Sequence, residues 1–188
     1  MEALLVSTGI VALAEMGDKT QLLSLLLAAK FRRPVPIILG IFVATLLNHA
    51  LAGAVGAWIT HTLGEHVMRW VLGISFIAMA AWMLVPDAPP DAQTKPARFG
   101  VFGTTLITFF LIEMGDKTQI ATVALAAQYS SFYMVVAGTT IGMMIANIPA
   151  VLLGDRATRK LPIRAIQVVA ALIFAVLGIV VLAGLDVS

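Results

Sequence analysis

The nine residues LAEMGDKTQ at 13–21 return as LIEMGDKTQ at 111–119, identical at eight of nine positions. Both copies sit inside otherwise apolar segments, so the chain twice places Glu, Asp and Lys where hydrocarbon-like surroundings are expected. The likeness extends beyond the motif at the same 98-residue offset. Leu27-Ala28-Ala29 matches Leu125-Ala126-Ala127, and Gly40, Gly56 and Phe76 match Gly138, Gly154 and Phe174. One unit is duplicated within one chain, and any fold must accommodate both copies.

The solvent of that fold follows from composition. Of 188 residues, 60% are hydrophobic and only 12% charged, about half the charged fraction of a soluble domain. Six apolar stretches, at roughly 4–29, 36–60, 67–85, 101–127, 132–154 and 163–185, are each long enough to span a bilayer as a helix. Turn-forming breaks separate them: KFRRPVP, THTLGEH, QYSS and GDRATRKLP. The expected fold is an all-α integral membrane protein of six transmembrane helices, three per repeat. Residues 1–85 form the first three-helix repeat and 101–188 the second. The proline-rich, polar stretch 86–100 reads as a flexible linker. The amino-terminal segment lacks a basic start and runs apolar past the motif, so a transmembrane helix is expected there rather than a cleaved signal.

Charge placement predicts orientation. With alternating helices, Lys30, Arg32, Arg33, Lys95, Arg98, Arg156, Arg159, Lys160 and Arg164 fall on one side, and Arg69 alone on the other. Positive residues stay cytoplasmic, so both termini are expected outside and the 86–100 linker inside. An odd number of helices per repeat makes the second copy enter from the opposite face. Inverted repeats of this kind are common in secondary transporters, with substrate bound near mid-membrane.

Glu15 and Glu113 lie near the middle of their segments. On a continuous helix, Glu15 and Asp18 at i and i+3 would share a face. Gly17 and Gly115 would loosen that helix and free backbone carbonyls. An ionisable residue at mid-bilayer costs roughly 2.5–3.5 kcal/mol, so Glu15, Asp18, Glu113 and Asp116 need compensation. Lys19 and Lys117 either neutralise part of the charge or snorkel away. If they neutralise it, two net negative charges remain, which one divalent cation or two protons would balance. The competing reading is a packed Glu15–Lys19 ion pair joining helices, and the duplication at matched depth weighs against it. Thr20, Gln21, Thr118 and Gln119 add hard oxygen donors, suiting calcium, magnesium or manganese over zinc or copper. Met16 and Met114 either add a soft contact or simply pack. Asn48, His49 and Asn147 supply further polar atoms at mid-segment. His49 is either a proton relay or a hydrogen-bonded packing residue. Pro149 is expected to kink its helix. His61 and His66 lack ligand spacing, while Trp58, Trp70 and Trp82 read as interfacial anchors. The chain has no cysteine, which excludes disulfides and thiolate metal sites.

The doubled EMGDKT in a six-segment chain resembles the Glu-x-Gly-Asp-(Lys/Arg)-(Thr/Ser) signature of a cation–proton antiporter family. That family includes the eukaryotic Golgi calcium/manganese transporters and the bacterial manganese exporters of the MneA type. The resemblance implies export of manganese or calcium against protons, with Glu15, Asp18, Glu113 and Asp116 forming the cation site. It implies a multi-pass bacterial inner-membrane protein in the compact form, whose partners are a divalent ion, protons and lipid, with no resident cofactor and no nucleic acid. Three rivals remain: an exporter of a small organic cation or basic amino acid, a passive cation channel, and a membrane enzyme. The last lacks any HExxH, nucleophile elbow or similar catalytic grouping, so no enzymatic activity is expected.

Overall fold

The computed structural model describes residues 1–63, 65–85, 99–129, 131–154 and 162–184, without the side chains of 65 and 66. Most of the 86–100 linker, and the basic residues Lys95, Arg98, Arg156, Arg159 and Lys160, lie outside the described residues. All regular structure among the described residues is helical. The helices are α1 (Glu2–Glu15), α2 (Lys19–Phe31), α3 (Pro34–Thr62), α4 (Glu65–Met83), α5 (Gly100–Glu113), α6 (Lys117–Gln128), α7 (Phe132–Leu153) and α8 (Ile163–Leu182). Of these, α3, α7 and α8 are long and apolar enough to cross a membrane.

The apolar segments 4–29 and 101–127 are not continuous helices. Each breaks at its motif, which corrects the expectation that Glu15 and Asp18 share one helical face. Glu15 ends α1 and Asp18 is the residue preceding α2; Glu113 and Asp116 hold the same posts on α5 and α6. The cause is local. Gly17 and Gly115 sit at φ of 85° and 80°, a left-handed conformation that only glycine adopts at little cost. Asp18 and Asp116 are then extended, at ψ of 167° in both copies. Pro149 lies inside α7.

Polarity is inverted relative to a water-soluble protein. Along α3, Val35, Leu39, Phe42, Leu47 and Leu51 are exposed, whereas Glu15, Glu113, Asp116 and Lys117 are buried. This arrangement belongs to a multi-pass membrane protein, because lipid solvates the apolar exterior and the ionic groups are sheltered inside. Trp58, Trp70 and Trp82 are exposed, and His61 is exposed near the end of α3.

Close helix approaches at glycines define the packing directions. A Cβ on Gly138 of α7 would meet the Leu4 carbonyl and Ser7 of α1, and one on Gly142 would meet Thr8 and Ala12, so α1 and α7 run parallel. Likewise Gly40 of α3 abuts Phe102 and Thr105 of α5, while the Asn48 amide donates to the Phe110 carbonyl at 3.1 Å. The α3 and α5 helices are therefore also parallel. By contrast, Gly53 of α3 meets Phe132 and Val136 near the start of α7, and Phe42 shares a crevice with Ile145 and Pro149 near its end. The two long helices are antiparallel. The rings of Phe76 and Phe174, equivalent positions of the duplication, meet at 6.2 Å between α4 and α8.

Candidate metal centre

The two breaks are built by the same hydrogen bonds. The Glu15 carbonyl accepts from the Asp18 N–H at 3.1 Å, and the Glu113 carbonyl from the Asp116 N–H at 3.0 Å. The Gly17 N–H donates to Gln21 Oε1 at 3.0 Å, and the Gly115 N–H to Gln119 Oε1 at 2.6 Å. A glutamine reaching back over the helix start satisfies a donor that the break would otherwise orphan. The Thr20 hydroxyl donates to the Glu15 carboxylate, and Thr118 to Glu113 at 2.5 Å. The Thr-Gln that closes each motif thus has a defined use: threonine holds the carboxylate and glutamine holds the loop.

Packing then brings the copies together. Ligand atoms of Glu15, Glu113 and Asp116 lie within 4.8 Å of one another, and each residue is at most 2% exposed. The lysines cross between repeats. Lys19 Nζ lies 2.7 Å from Asp116 Oδ1, and Lys117 Nζ lies 3.9 Å from Asp18 Oδ1. The competing reading, a packed Glu15–Lys19 ion pair, does not form among the described residues, because the chain turns between them and Lys19 pairs with Asp116. Asp18 stands outside the group of three, beside Lys117.

The copies differ in their covering. Lys117 is buried and donates to the Val85 carbonyl beyond α4 at 3.2 Å, while Lys19 keeps 25% exposure. Ile163 at the start of α8 lies against Gly17, whereas no described residue lies within 4 Å of a Cβ built on Gly115. Met114 is 53% exposed and Met16 partly so.

The long helices contribute unequally. His49 Nε2 lies 3.9 Å from Glu113 Oε1. Its repeat counterpart Asn147 accepts from Ser24 Oγ at 2.7 Å and donates to the Met143 carbonyl and sulfur, each at 3.0 Å. Gln21 Nε2 donates to the Ala146 carbonyl at 3.0 Å, tying α2 to α7. Sequence reasoning missed Ser24, three residues after Gln21 and hence on the same face of α2, as well as the Val85 carbonyl. The first was findable by helical spacing; the second is a backbone atom and leaves no sequence signal.

Three buried carboxylates at this separation repel one another; the Lys19 ammonium on Asp116 offsets part of that repulsion, and Lys117 does the same for the neighbouring Asp18. One carboxylate oxygen on each of Glu15, Glu113 and Asp116 makes no hydrogen bond within the described protein. Oxygen atoms so arranged can converge on a small hard cation with modest adjustment, since Ca²⁺ takes its ligands at about 2.3–2.6 Å.

Comparison with known proteins agrees with this chemistry. The family profile described as "Divalent cation/proton antiporter GDT1" matches residues 3–91 and 101–186. A Vibrio cholerae protein named "Putative manganese exporter" is 47% identical over 180 residues, spanning 95% of this chain and 90% of its own length. The Saccharomyces cerevisiae protein named "Divalent cation/proton antiporter GDT1" is 23% identical across 93% of this chain and 81% of its own. A Synechocystis protein named "GDT1-like protein sll0615" is 23% identical across 91% and 92%. No solved structure matches.

Proposed function

Because this chain belongs to the divalent cation/proton antiporter GDT1 family, we propose that it exports manganese from the cytoplasm in exchange for protons, with calcium as the second candidate cargo. The observation that carries this reading is the meeting of Glu15, Glu113 and Asp116 within 4.8 Å in a buried site. Glu15, Asp18, Glu113 and Asp116 supply the charge, and Lys19 and Lys117 offset half of it from across the repeat boundary. The two remaining negative charges match one divalent ion or two protons. Protonation discharges the empty site and permits its return step, because an ionised vacant cluster is costly to reorient in hydrocarbon. An all-carboxylate cluster favours hard cations, and the name of the Vibrio relative favours manganese. The ion is cargo, and no resident cofactor is invoked.

The topology we propose is six spans in two inverted repeats, 1–85 and 101–188, joined by a cytoplasmic linker at 86–100, in a bacterial inner membrane with both termini outside. In this scheme α1–α2 and α5–α6 are broken spans. The packing directions support it: α1 is parallel to α7, α3 to α5, and α3 antiparallel to α7. The corresponding α1 and α5 therefore run oppositely. Broken helices meeting at mid-depth are a recurrent way to build such sites.

A compact cluster of acids suits a small ion better than an organic cation, and coupling to protons separates an exchanger from a channel. The test is Mn²⁺ transport into proteoliposomes under an imposed pH gradient, for wild type, Glu15→Gln and Asp116→Asn. Removal of a group that only hydrogen-bonds a metal ligand costs about 10–100-fold, so loss of a ligand itself is expected to lower transport by about 100-fold or more in correctly folded protein. Transport at wild-type rates in both variants, or wild-type transport indifferent to the gradient, overturns the reading.

A further inference from the structure

Unsatisfied polar atoms concentrate on the seam between α3 and α5. Thr105 Oγ1, Thr45 Oγ1, Asn48 Oδ1, both His49 ring nitrogens and Glu113 Oε2 make no hydrogen bond within the described protein. All five residues are 0% exposed. Buried polar groups are nearly always satisfied, by protein or by ordered water, so five such residues along one seam need an explanation.

Their order along the seam follows from the packing. Thr105, five residues inside the start of α5, faces Gly40 of α3. Further along, Asn48 reaches the Phe110 carbonyl, so Thr45 falls between these two levels. Thr45, Asn48 and His49 are spaced i, i+3 and i+4 and share one face of α3. His49 then stands 3.9 Å from Glu113. The file runs from the end of the molecule where α3 and α5 begin, next to Arg32 and Arg33, inward to the acid cluster.

The repeat-related seam between α1 and α7 does not reproduce it. Ser7 matches Thr105 and is likewise unsatisfied. However, the positions matching Thr45, Asn48 and His49 are Met143, Ala146 and Asn147. The first two have apolar side chains, and Asn147 is tied to Ser24 and Met143. The duplication has kept its motif but not this run of polar residues.

We propose that the α3–α5 seam holds a file of ordered water that conducts protons between the Arg32–Arg33 end of the molecule and Glu113. This rests on the proton-exchange reading above and assigns its proton route. Water bridging these atoms would supply the hydrogen bonds that the hydroxyls, the Asn48 carbonyl and the imidazole lack within the described protein. Each hydroxyl or water along the file accepts one proton and passes one on, so a proton released from the acid cluster enters the file beside His49 and leaves at the cytoplasmic Arg32–Arg33 end. Phe109, buried one turn before Glu113, bounds the file on α5.

The test uses Thr45→Val, Thr105→Val and the double variant, which remove a hydroxyl at nearly constant shape. Reconstituted protein is assayed for gradient-driven Mn²⁺ transport and for Mn²⁺/Mn²⁺ exchange, which needs no proton. Water-dependent radiolytic labelling then compares His49 and Phe109 with the outward-facing Phe42. In the double variant, driven transport is expected to fall about tenfold, one such step in barrier height, while metal exchange is retained. Labelling of His49 and Phe109 in wild type is expected to exceed that of Phe42 and to drop in the variants. Driven transport at the wild-type rate, a parallel loss of metal exchange, or wild-type labelling no greater than that of Phe42 overturns the proposal. A wild-type protein indifferent to the gradient would instead sink the antiport reading, and labelling alone would then decide whether the water file exists.

Discussion

Lys19, from the first motif, holds its ammonium 2.7 Å from the Asp116 carboxylate of the second. The pair joins residues almost a hundred positions apart and neutralises an acid in the other repeat rather than in its own. Lys117 and Asp18 approach reciprocally at 3.9 Å. Each motif therefore completes the electrostatics of its copy, and neither half is a finished site alone.

Replacing Lys19 with Met leaves Asp116 buried beside two other acids. Breaking a fully buried pair costs about 3–5 kcal/mol. Lys19 retains a quarter of its exposure, so a smaller loss, about 1–3 kcal/mol, is expected here. Thermal unfolding in detergent checks this. The charge-swapped pair Lys19→Asp with Asp116→Lys should recover part of the loss if the contact is direct, and no recovery would count against it.

The two motif glycines should respond unequally to alanine. Both pay the left-handed backbone penalty of about 1–2 kcal/mol. At Gly17 the added Cβ also collides with the Ile163 side chain, with no such described neighbour at Gly115. Gly17→Ala is therefore expected to lower the unfolding temperature more than Gly115→Ala. Equal shifts would mean that α8 readily yields to the new methyl.

Bound metal should stabilise the wild-type protein. A ligand that binds only the folded state adds about 2.7 kcal/mol at a hundredfold excess over Kd. Mn²⁺ is expected to raise the unfolding temperature of wild type in a concentration-dependent way and to leave that of a Glu15→Gln, Glu113→Gln double variant unmoved. An equal rise in that variant would put the metal elsewhere.

Topology is accessible because the chain has no native cysteine. Single cysteines at Lys95 and Val187 are expected to label from opposite faces of the membrane. Labelling of both from one face would remove the six-span, both-termini-outside arrangement.

The membrane class, the duplication and the four acids were legible in the sequence because each rests on local composition or on identity between copies. Apolar segments of sufficient length carry their transfer energy wherever they pack, and a repeated nine-residue motif is visible without any structure. The helix breaks were legible only in part. Gly17 and Gly115 signalled looseness, but glycine tolerates right-handed and left-handed backbone alike, so the turn was not certain from the residue alone. Asn147 shows the opposite failure: it stood with Asn48 and His49 among the further polar candidates, yet Ser24 and Met143 occupy its hydrogen bonds.

Residue types alone put charged groups in an apolar chain and made their cost something to be answered. The answer itself came from packing. The crossing of Lys19 to Asp116, the meeting of Glu15 with Glu113 and the polar file from Thr105 to His49 all join positions on different helices. Their distances depend on how α1 seats against α7 and α3 against α5, where the small faces of Gly138 and Gly40 let backbones approach. Burial energy depends on local composition, whereas Coulombic pairing depends on separation in space, and packing sets that separation.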